Sequence, residues 1–163
     1  MEKIRKEIIN HFGHKLRIRV CGILIENDKI LLAKHHSIGE TDILWAPPGG
    51  GIEFGEYAED ALIREFKEET GIDIYIESFL CVQEFLAPPL HAIELFFHVK
   101  KKHGDLTLGY DPELSPENQI ITAVEWLNYE VLNQLNPHSK HAILKNIDNL
   151  NDLLNITGFR KGK

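Results

Sequence analysis

The stretch of residues 50–72, GGIEFGEYAEDALIREFKEETGI, constrains the fold of this 163-residue chain more than any other. It begins with glycines that end a Pro-Pro-Gly-Gly-Gly run at residues 47–51, which is expected to be irregular backbone. From residue 56 to 70 the pattern has helical spacing. It stops at Gly71, a residue type that commonly follows a helix because it tolerates the left-handed conformation. The sequence therefore predicts a glycine-rich loop that leads directly into a short helix.

The predicted helix carries glutamates on the same side as its apolar residues. At ~100° per residue, Leu62 and Phe66 help to define one apolar arc of the helix. Glu69 projects almost onto the middle of that arc, Glu65 onto its edge and Glu68 just beyond it. Side-by-side carboxylates repel one another, and their burial is costly unless a positive charge lies between them. Oxygen ligands of this kind suit Mg²⁺ or Mn²⁺, so the pattern predicts a site for a hard cation.

A solvated helix face is the alternative meaning of such a run of charges. In that interpretation Arg64 pairs with Glu68 four residues later, and Lys67 screens the remaining carboxylates. Three features favour the metal site. Glu69 points where a core residue belongs, the acidic side is not balanced by lysine, and the glycine turn lets backbone carbonyls approach a ligand closely.

Residues 50–72 resemble the Nudix box, the pattern G-x5-E-x7-R-E-U-x-E-E-x-G-U with U an apolar residue, at every specified position. The flanking sequence agrees with the resemblance, with Trp45 and Pro48-Gly49 upstream and a predicted strand ending in Trp126 downstream. The resemblance implies a hydrolase with the Nudix fold. This is an α/β fold in which a mixed β-sheet is sandwiched between α-helices, expected here as a single domain over residues 1–163.

The resemblance also implies roles for individual residues. The family's metal ligands correspond to the backbone carbonyl of Gly50 and the side chains of Glu65, Glu68 and Glu69. Arg64 corresponds to the arginine that orients the catalytic glutamate, and Glu56 to a glutamate that is usually structural. Glu65 supplies or assists the general base in many members, whereas in others the base comes from a loop nearer the C-terminus. The implied cofactor is Mg²⁺, with Mn²⁺ as a substitute.

Candidates outside residues 50–72 rest on weaker signals. Glu117 lies in the loop before the last predicted strand, where many Nudix proteins place a further ligand or base. Glu113 and Glu94 are the alternatives, and a solvated loop glutamate is the simplest interpretation of Glu117. Arg17 and Arg19 lie on one side of the first predicted strand, where they either contact a substrate phosphate or face solvent.

Pro88 bears on the identity of the substrate. It lies 16 residues beyond Ile72, and a proline near that distance marks the ADP-ribose pyrophosphatase group of the family. The resemblance therefore implies hydrolysis of the pyrophosphate bond in ADP-ribose or a similar nucleoside diphosphate sugar. One alternative is a nucleoside triphosphate pyrophosphohydrolase that clears oxidised or non-standard nucleotides. Another is a non-catalytic nucleotide-sensing domain, which the intact set of glutamates argues against.

Charge and composition limit the classes of partner. The net charge of −7 weighs against duplex binding, which depends on Lys and Arg that neutralise phosphates. No apolar run is long enough for a membrane span, and the N-terminal residues lack the apolar core of a signal peptide. Cys21 and Cys81 lie singly in apolar stretches, as reduced core residues do. We expect a cytoplasmic protein with a small nucleotide as partner and no nucleic acid or membrane, and a homodimer is one alternative for its assembly.

Periodicity predicts the remaining elements. A short helix is expected over residues 2–12, with Ile4, Ile8 and Ile9 on its apolar side. A hairpin should turn at Asn27-Asp28, and residues 35–44 should form a loop. Strands are expected over residues 73–86 and 91–101 and around Val124, with helical segments in most of the remainder.

Overall fold

The structure, a computed structural model, describes residues 2–38, 41–112 and 114–162. Within these residues eight strands form a mixed sheet, and helices and turns cover its faces. The elements in chain order are α1 (Glu2–Phe12), β1 (Leu16–Glu26), β2 (Lys29–His36), β3 (Ile43–Ala46), β4 (Gly49–Gly51), α2 (Ala58–Thr70), β5 (Asp73–Ala87), β6 (Leu90–His103), β7 (Ile121–Asn128), α3 (Tyr129–Gln134) and β8 (Gly158–Gly162). The predicted α/β fold with a mixed sheet between helices is confirmed.

Strand β1 lies at the centre of the sheet and contacts three other strands. The sheet order is β3-β2-β1-β6-β5-β8, with β4 paired to β1 and β7 paired to β2. β1 runs parallel to β6, and its later residues form an antiparallel hairpin with β2. The hairpin turn is Asn27-Asp28, whose φ angles of 50° and 57° are those of a two-residue turn that matches the strand twist. The hairpin predicted at these two residues is confirmed.

The alternation of side chains along β1 separates two parts of the core. Val20 and Leu24 face α2, where Phe66 is fully buried. Cys21 and Ile23 face the opposite side, which α3 and the turns of residues 137–155 cover. Within the described residues, no helix has the length and apolar character that a membrane span requires.

Helix α1 has a different buried face from the one predicted. Ile8 and Phe12 are buried at 5% and 7% exposure, whereas Ile9 is 38% exposed. Residues four apart lie on the same face of a helix, so Ile4, Ile8 and Phe12 form the packed stripe. The prediction that Ile9 belongs to this stripe is wrong, because isoleucine at residue 9 faces away from the sheet.

Three stretches are more regular than the sequence suggested. The predicted loop at residues 35–44 is shorter, because β2 extends to His36 and β3 begins at Ile43. The glycines expected to be irregular form β4, which pairs antiparallel with Arg19–Cys21. Strand β8 lies in the C-terminal region that was expected to be helical, and it pairs parallel with β5. Each of these strands depends on a partner distant in sequence, which local periodicity does not reveal.

Phe66→Ala should destabilise the protein by about 3–5 kcal/mol, because it leaves a cavity between α2 and β1 where the ring is fully buried. Urea denaturation followed by circular dichroism measures the change. Phe54→Ala is the matched control, since Phe54 is fully exposed and its removal should leave the midpoint unchanged. Equal midpoints for the two variants would contradict this assignment of the core.

Candidate functional site

The glycine loop and the helix after it meet beside β1. β4 pairs with β1 so that Gly50 lies opposite Val20. A Cβ atom added at Gly50 would lie 2.3 Å from the carboxyl carbon of Glu65, so only glycine allows this approach of backbone and carboxylate. The Gly49 amide donates a hydrogen bond of 3.0 Å to Glu69 Oε2. The backbone of β4 is therefore in direct contact with two of the predicted ligand glutamates.

These groups line part of a cavity, which we divide into two parts. The acidic part is formed by Gly49, Gly50, Gly51, Glu65 and Glu69. The apolar part is formed by side chains that pack together, namely Ile8, Phe12, Ile38, Leu90, Ile120 and Ile121. Further polar lining comes from Arg17, Arg19, His35, His91, Glu94, Asp111 and His141. The cavity thus combines carboxylates, guanidinium groups and an apolar wall.

Arg64 connects the loop before α2 to the glutamates on it. Its Nε donates to Glu56 Oε1 and its Nη2 donates to Glu56 Oε2, each at 2.9 Å. Nη1 donates to Glu65 Oε1 at 2.9 Å and to Glu68 Oε2 at 3.3 Å. Nη2 also donates to the Gly51 carbonyl at 3.1 Å. The paired bonds to Glu56 use the fork of the guanidinium, which fixes its plane and therefore the position of Glu65.

The two glutamates of the acidic part are held where a charge is costly. Burial raises the pKa of Glu65 to about 7, against the lowering effect of the Arg64 hydrogen bond. Burial, together with the neighbouring Glu65, raises the pKa of Glu69 to about 8. Glu69 is 6% exposed, as expected for a glutamate that projects into the apolar arc of α2. A solvated face therefore does not describe Glu65 and Glu69.

Glu68 is placed differently from the other two predicted ligands. Its side chain is 30% exposed and bonded to Arg64, and the described residues that line the cavity do not include it. Within residues 2–38, 41–112 and 114–162, no group of three or more His, Cys, Asp or Glu side chains is arranged so that it could hold a metal ion by itself. The structure brings Gly50, Glu65 and Glu69 together and places Glu68 at the margin of the group. The i,i+4 pair of Arg64 and Glu68, predicted for a solvated face, is present beside the buried pair.

The other sequence candidates fall into two groups. Arg17 and Arg19 line the cavity, and Arg19 Nη2 donates to the Gly49 carbonyl at 3.2 Å. Arg19 Nε is buried and has no hydrogen-bond partner among the described residues. Glu117 is exposed in a short 3-10 turn, outside the described lining of the cavity. Pro88 lines a second, more open pocket instead, and Glu113 lies outside the described residues.

Sequence reasoning named Glu94 as an alternative candidate, and the structure buries it in the cavity, but it did not identify the partner of Glu94, His141. His141 Nε2 lies 2.9 Å from Glu94 Oε2, and the Ile143 amide donates to His141 Nδ1 at 3.2 Å. The ring proton is therefore on Nε2, which donates to the carboxylate. Burial, the largest single effect, raises the pKa of Glu94, but His141, Arg19 and Gln83 together outweigh it, and the pKa lies below its usual value. An ionisable residue within the apolar run of β6 was the available signal for Glu94, whereas no local pattern marks His141.

Comparison with known proteins places the chain beside nucleotide hydrolases. A family model described as NUDIX domain matches residues 15–146. The chain is 36% identical over 96 residues to an ADP-ribose pyrophosphatase of Methanocaldococcus jannaschii, an alignment that covers 58% of this chain and 56% of the relative. It is 33% identical over 91 residues to an 8-oxo-dGTP diphosphatase of Escherichia coli, covering 56% of this chain and 70% of the relative. The chain spans about half or less of the length of several of the curated relatives that it matches.

Solved structures agree on the architecture. A NUDIX hydrolase from Nitrosomonas europaea superimposes with a TM-score of 0.61 and is 22% identical in sequence. The alignment covers 73% of this chain and 76% of the other. At this level of identity the likeness establishes the fold alone.

Arg64→Lys should lower the free energy of unfolding by about 1–3 kcal/mol, because an ammonium group cannot replace the forked bonds to Glu56 and the bond to Gly51 together. Urea denaturation measures the loss. The control is Arg5→Lys, since Arg5 is exposed and forms a surface ion pair with Asp42. A change within about 0.5 kcal/mol is expected there. Equal effects of the two substitutions would show that Arg64 does not organise the site.

Proposed function

This chain belongs to the Nudix family, and from that premise we propose that it hydrolyses a pyrophosphate bond in a small nucleotide. The observation that carries the proposal is the pair of buried carboxylates, Glu65 and Glu69, placed against the backbone of Gly49 and Gly50 inside the cavity. Phosphate groups are anionic, so an acidic wall of this kind suits them only when a cation lies between. The arginines on β1 supply further positive charge in the same cavity.

A divalent metal ion fits the residues that are present. The donor set is oxygen only, from Glu65 and Glu69 with Glu68 at its margin, and the resemblance to the family adds the carbonyl of Gly50. Such donors favour Mg²⁺, with Mn²⁺ as a substitute. The burial that raises the pKa of both carboxyl groups is the cost that a bound cation would offset. When bound, the metal would supply charge neutralisation and a more acidic water.

Side chains of the cavity would accept the proton, bind the phosphate groups and exclude water. Arg64 holds Glu65 through Oε1, which leaves Oε2 beside Gly50 to accept a proton from the attacking water. Glu117 was the alternative base, but its exposed position outside the described lining favours Glu65. Arg17 and Arg19 would bind the phosphate groups, and Arg19 has a buried Nε without a partner among the described residues. The apolar part excludes water from the rest of the substrate.

ADP-ribose or a similar nucleoside diphosphate sugar is the proposed substrate. The relative in M. jannaschii that is an ADP-ribose pyrophosphatase supports this choice, whereas the E. coli 8-oxo-dGTP diphosphatase supports a triphosphate. Pro88 marks the first group by its position in the sequence, but it acts at most indirectly, since the described lining of the cavity includes Phe85 and Leu90 on either side of it and not Pro88 itself. The polar groups of Glu94 and His141 offer partners for sugar hydroxyls, which a purely apolar pocket would leave unsatisfied.

Other features stay predictions. They are the cytoplasmic setting, the extent of the domain over residues 1–163, the homodimer and the absence of nucleic-acid and membrane partners. A nucleotide-sensing role without catalysis is the alternative to hydrolysis, and the turnover assay below separates the two.

With Mg²⁺ present, the protein should convert ADP-ribose to AMP and ribose phosphate with a higher kcat/KM than that for release of pyrophosphate from 8-oxo-dGTP. Chromatography of the products measures both reactions. EDTA should abolish turnover, because it removes the divalent metal ion that would lie between the substrate phosphates and the carboxylates.

Each outcome of this assay has a distinct meaning. Faster release of pyrophosphate from the triphosphate would replace the proposed substrate by the alternative. Full turnover in EDTA would contradict the metal site. Binding of nucleotides without any turnover would favour the sensing role.

Glu69→Gln should lower kcat/KM by on the order of 10²-fold or more, because the amide keeps the acceptor for the Gly49 amide but loses the charge that holds a cation. Circular dichroism and thermal melting should show that the fold is retained. The matched control is Glu59→Gln in the exposed first turn of the same helix, where the rate should not change. An unchanged rate for Glu69→Gln would return this glutamate to a purely structural role.

A further inference from the structure

We propose that helix α1 selects the substrate, because its side chains Ile8 and Phe12 form a wall of the apolar part of the cavity. The helix precedes residues 15–146, the part of the chain that matches the family model. The inference rests on the proposed function, since it concerns the substrate group that lies against this wall. It assigns specificity to residues that the family resemblance does not cover.

Burial and spacing place the wall. Ile8 and Phe12 are four residues apart, so both side chains project from one face of α1 into the same cluster as Ile120 and Ile121. All four side chains line the cavity. They are nearly inaccessible, with exposures of 5% for Ile8 and 7% for Phe12. A side chain that is both packed and facing the cavity restricts the shape of what can bind beside it.

Hydrogen bonds from the middle of α1 and from the residues just after it keep the wall in position. The Glu7 carboxylate accepts from the Ser115 amide at 3.0 Å and from the Asn118 side-chain amide. Just after the helix, the His14 amide donates to the Pro89 carbonyl at 2.8 Å. These bonds join α1 to the loop before β7 and to the turn between β5 and β6. The wall is therefore tied to segments far away in sequence, and its distance from the acidic part is fixed by the fold.

Phe12 also contacts one of the cavity's cations. The guanidinium carbon of Arg17 lies 3.9 Å from the centre of the Phe12 ring, within the range of a cation–π contact. Arg17 lines the cavity as well. The same ring thus contributes an apolar surface and helps to orient a positive charge. Loss of the ring would affect the fit of an apolar group most and the binding of phosphate to a smaller extent.

The wall fits a group with a flat apolar face. Phe12 and Phe85 both line the cavity, and Phe12 packs in a cluster with apolar side chains, while Arg17 lies over its ring. A sugar leaves its hydroxyl groups unsatisfied against such a surface, whereas a nucleobase buries its ring face there at little cost. We therefore assign the nucleobase to the apolar part beside α1.

The test compares Phe12→Ala with Ile9→Ala, a variant on the exposed face of the same helix. Selectivity is measured as kcat/KM for the nucleotide that the wild type hydrolyses best, divided by kcat/KM for 5-phosphoribosyl diphosphate, which carries a pyrophosphate but no base. Phe12→Ala should lower this ratio by about 10-fold, mainly through KM of the nucleotide, and Ile9→Ala should leave it unchanged. A ratio unchanged by Phe12→Ala would overturn the inference.

Two further measurements keep the result unambiguous. If Phe12→Ala does not fold, Phe12→Leu keeps an apolar side chain of similar bulk and should still lower the ratio about 3-fold. Calorimetric titration with AMP makes the same comparison without turnover. Weaker binding of AMP by the Phe12 variant than by Ile9→Ala would support the role of α1 in binding the base. This holds even if the protein hydrolyses no substrate, in which case the proposed hydrolysis is wrong and the inference about α1 is not. Equal affinities in the two variants, or no binding of AMP to the wild type, would overturn it.

Discussion

The Arg64 guanidinium binds three carboxylates and one backbone carbonyl at the point where the glycine strand meets helix α2. Without a cation at this place, Glu65 and Glu68 would repel each other, and burial already disfavours the charge of Glu65. The bidentate bond to Glu56 holds the guanidinium from the loop side, so the loop and the helix share one fixed geometry. The orientation of Glu65 towards the cavity is a consequence of this geometry.

Close packing below the acidic part is the second requirement. A Cβ atom added at Gly22 of β1 would meet the Phe66 ring at 2.8 Å, so α2 lies as near to the sheet as the backbone allows. Its two sides therefore have separate tasks. The side towards β1 anchors the helix through apolar burial, and the adjoining side presents the glutamates. Because the helix is anchored so closely, the backbone of β4 can reach both carboxylates. The Gly49 amide donates to Glu69, and Gly50 lies directly against Glu65.

Local sequence patterns predicted much of the acidic part of the cavity and little of the rest of it. The spacing of residues 50–72 predicted α2, its end at Gly71 and the burial of Glu69, because these depend on neighbours a turn away. The i,i+4 pair of Arg64 and Glu68 was predicted only under the alternative of a solvated face, and spacing alone did not show that it would stand beside the buried Glu65 and Glu69. Strand β4 and His141, the partner of Glu94, were not predicted, because both depend on distant parts of the chain. Only the folded sheet brings these parts together.

The two parts of the cavity have different origins along the chain, and this affects how such a protein can diverge. The acidic part comes almost entirely from one uninterrupted stretch, whereas the apolar part is assembled from α1, the segment after β2, the start of β6 and the start of β7. A substitution in any one of these segments does not change the residues of the acidic part. New substrate preferences can therefore be acquired in small, separable steps, and a library that varies α1 alone would search them while the chemistry is kept constant.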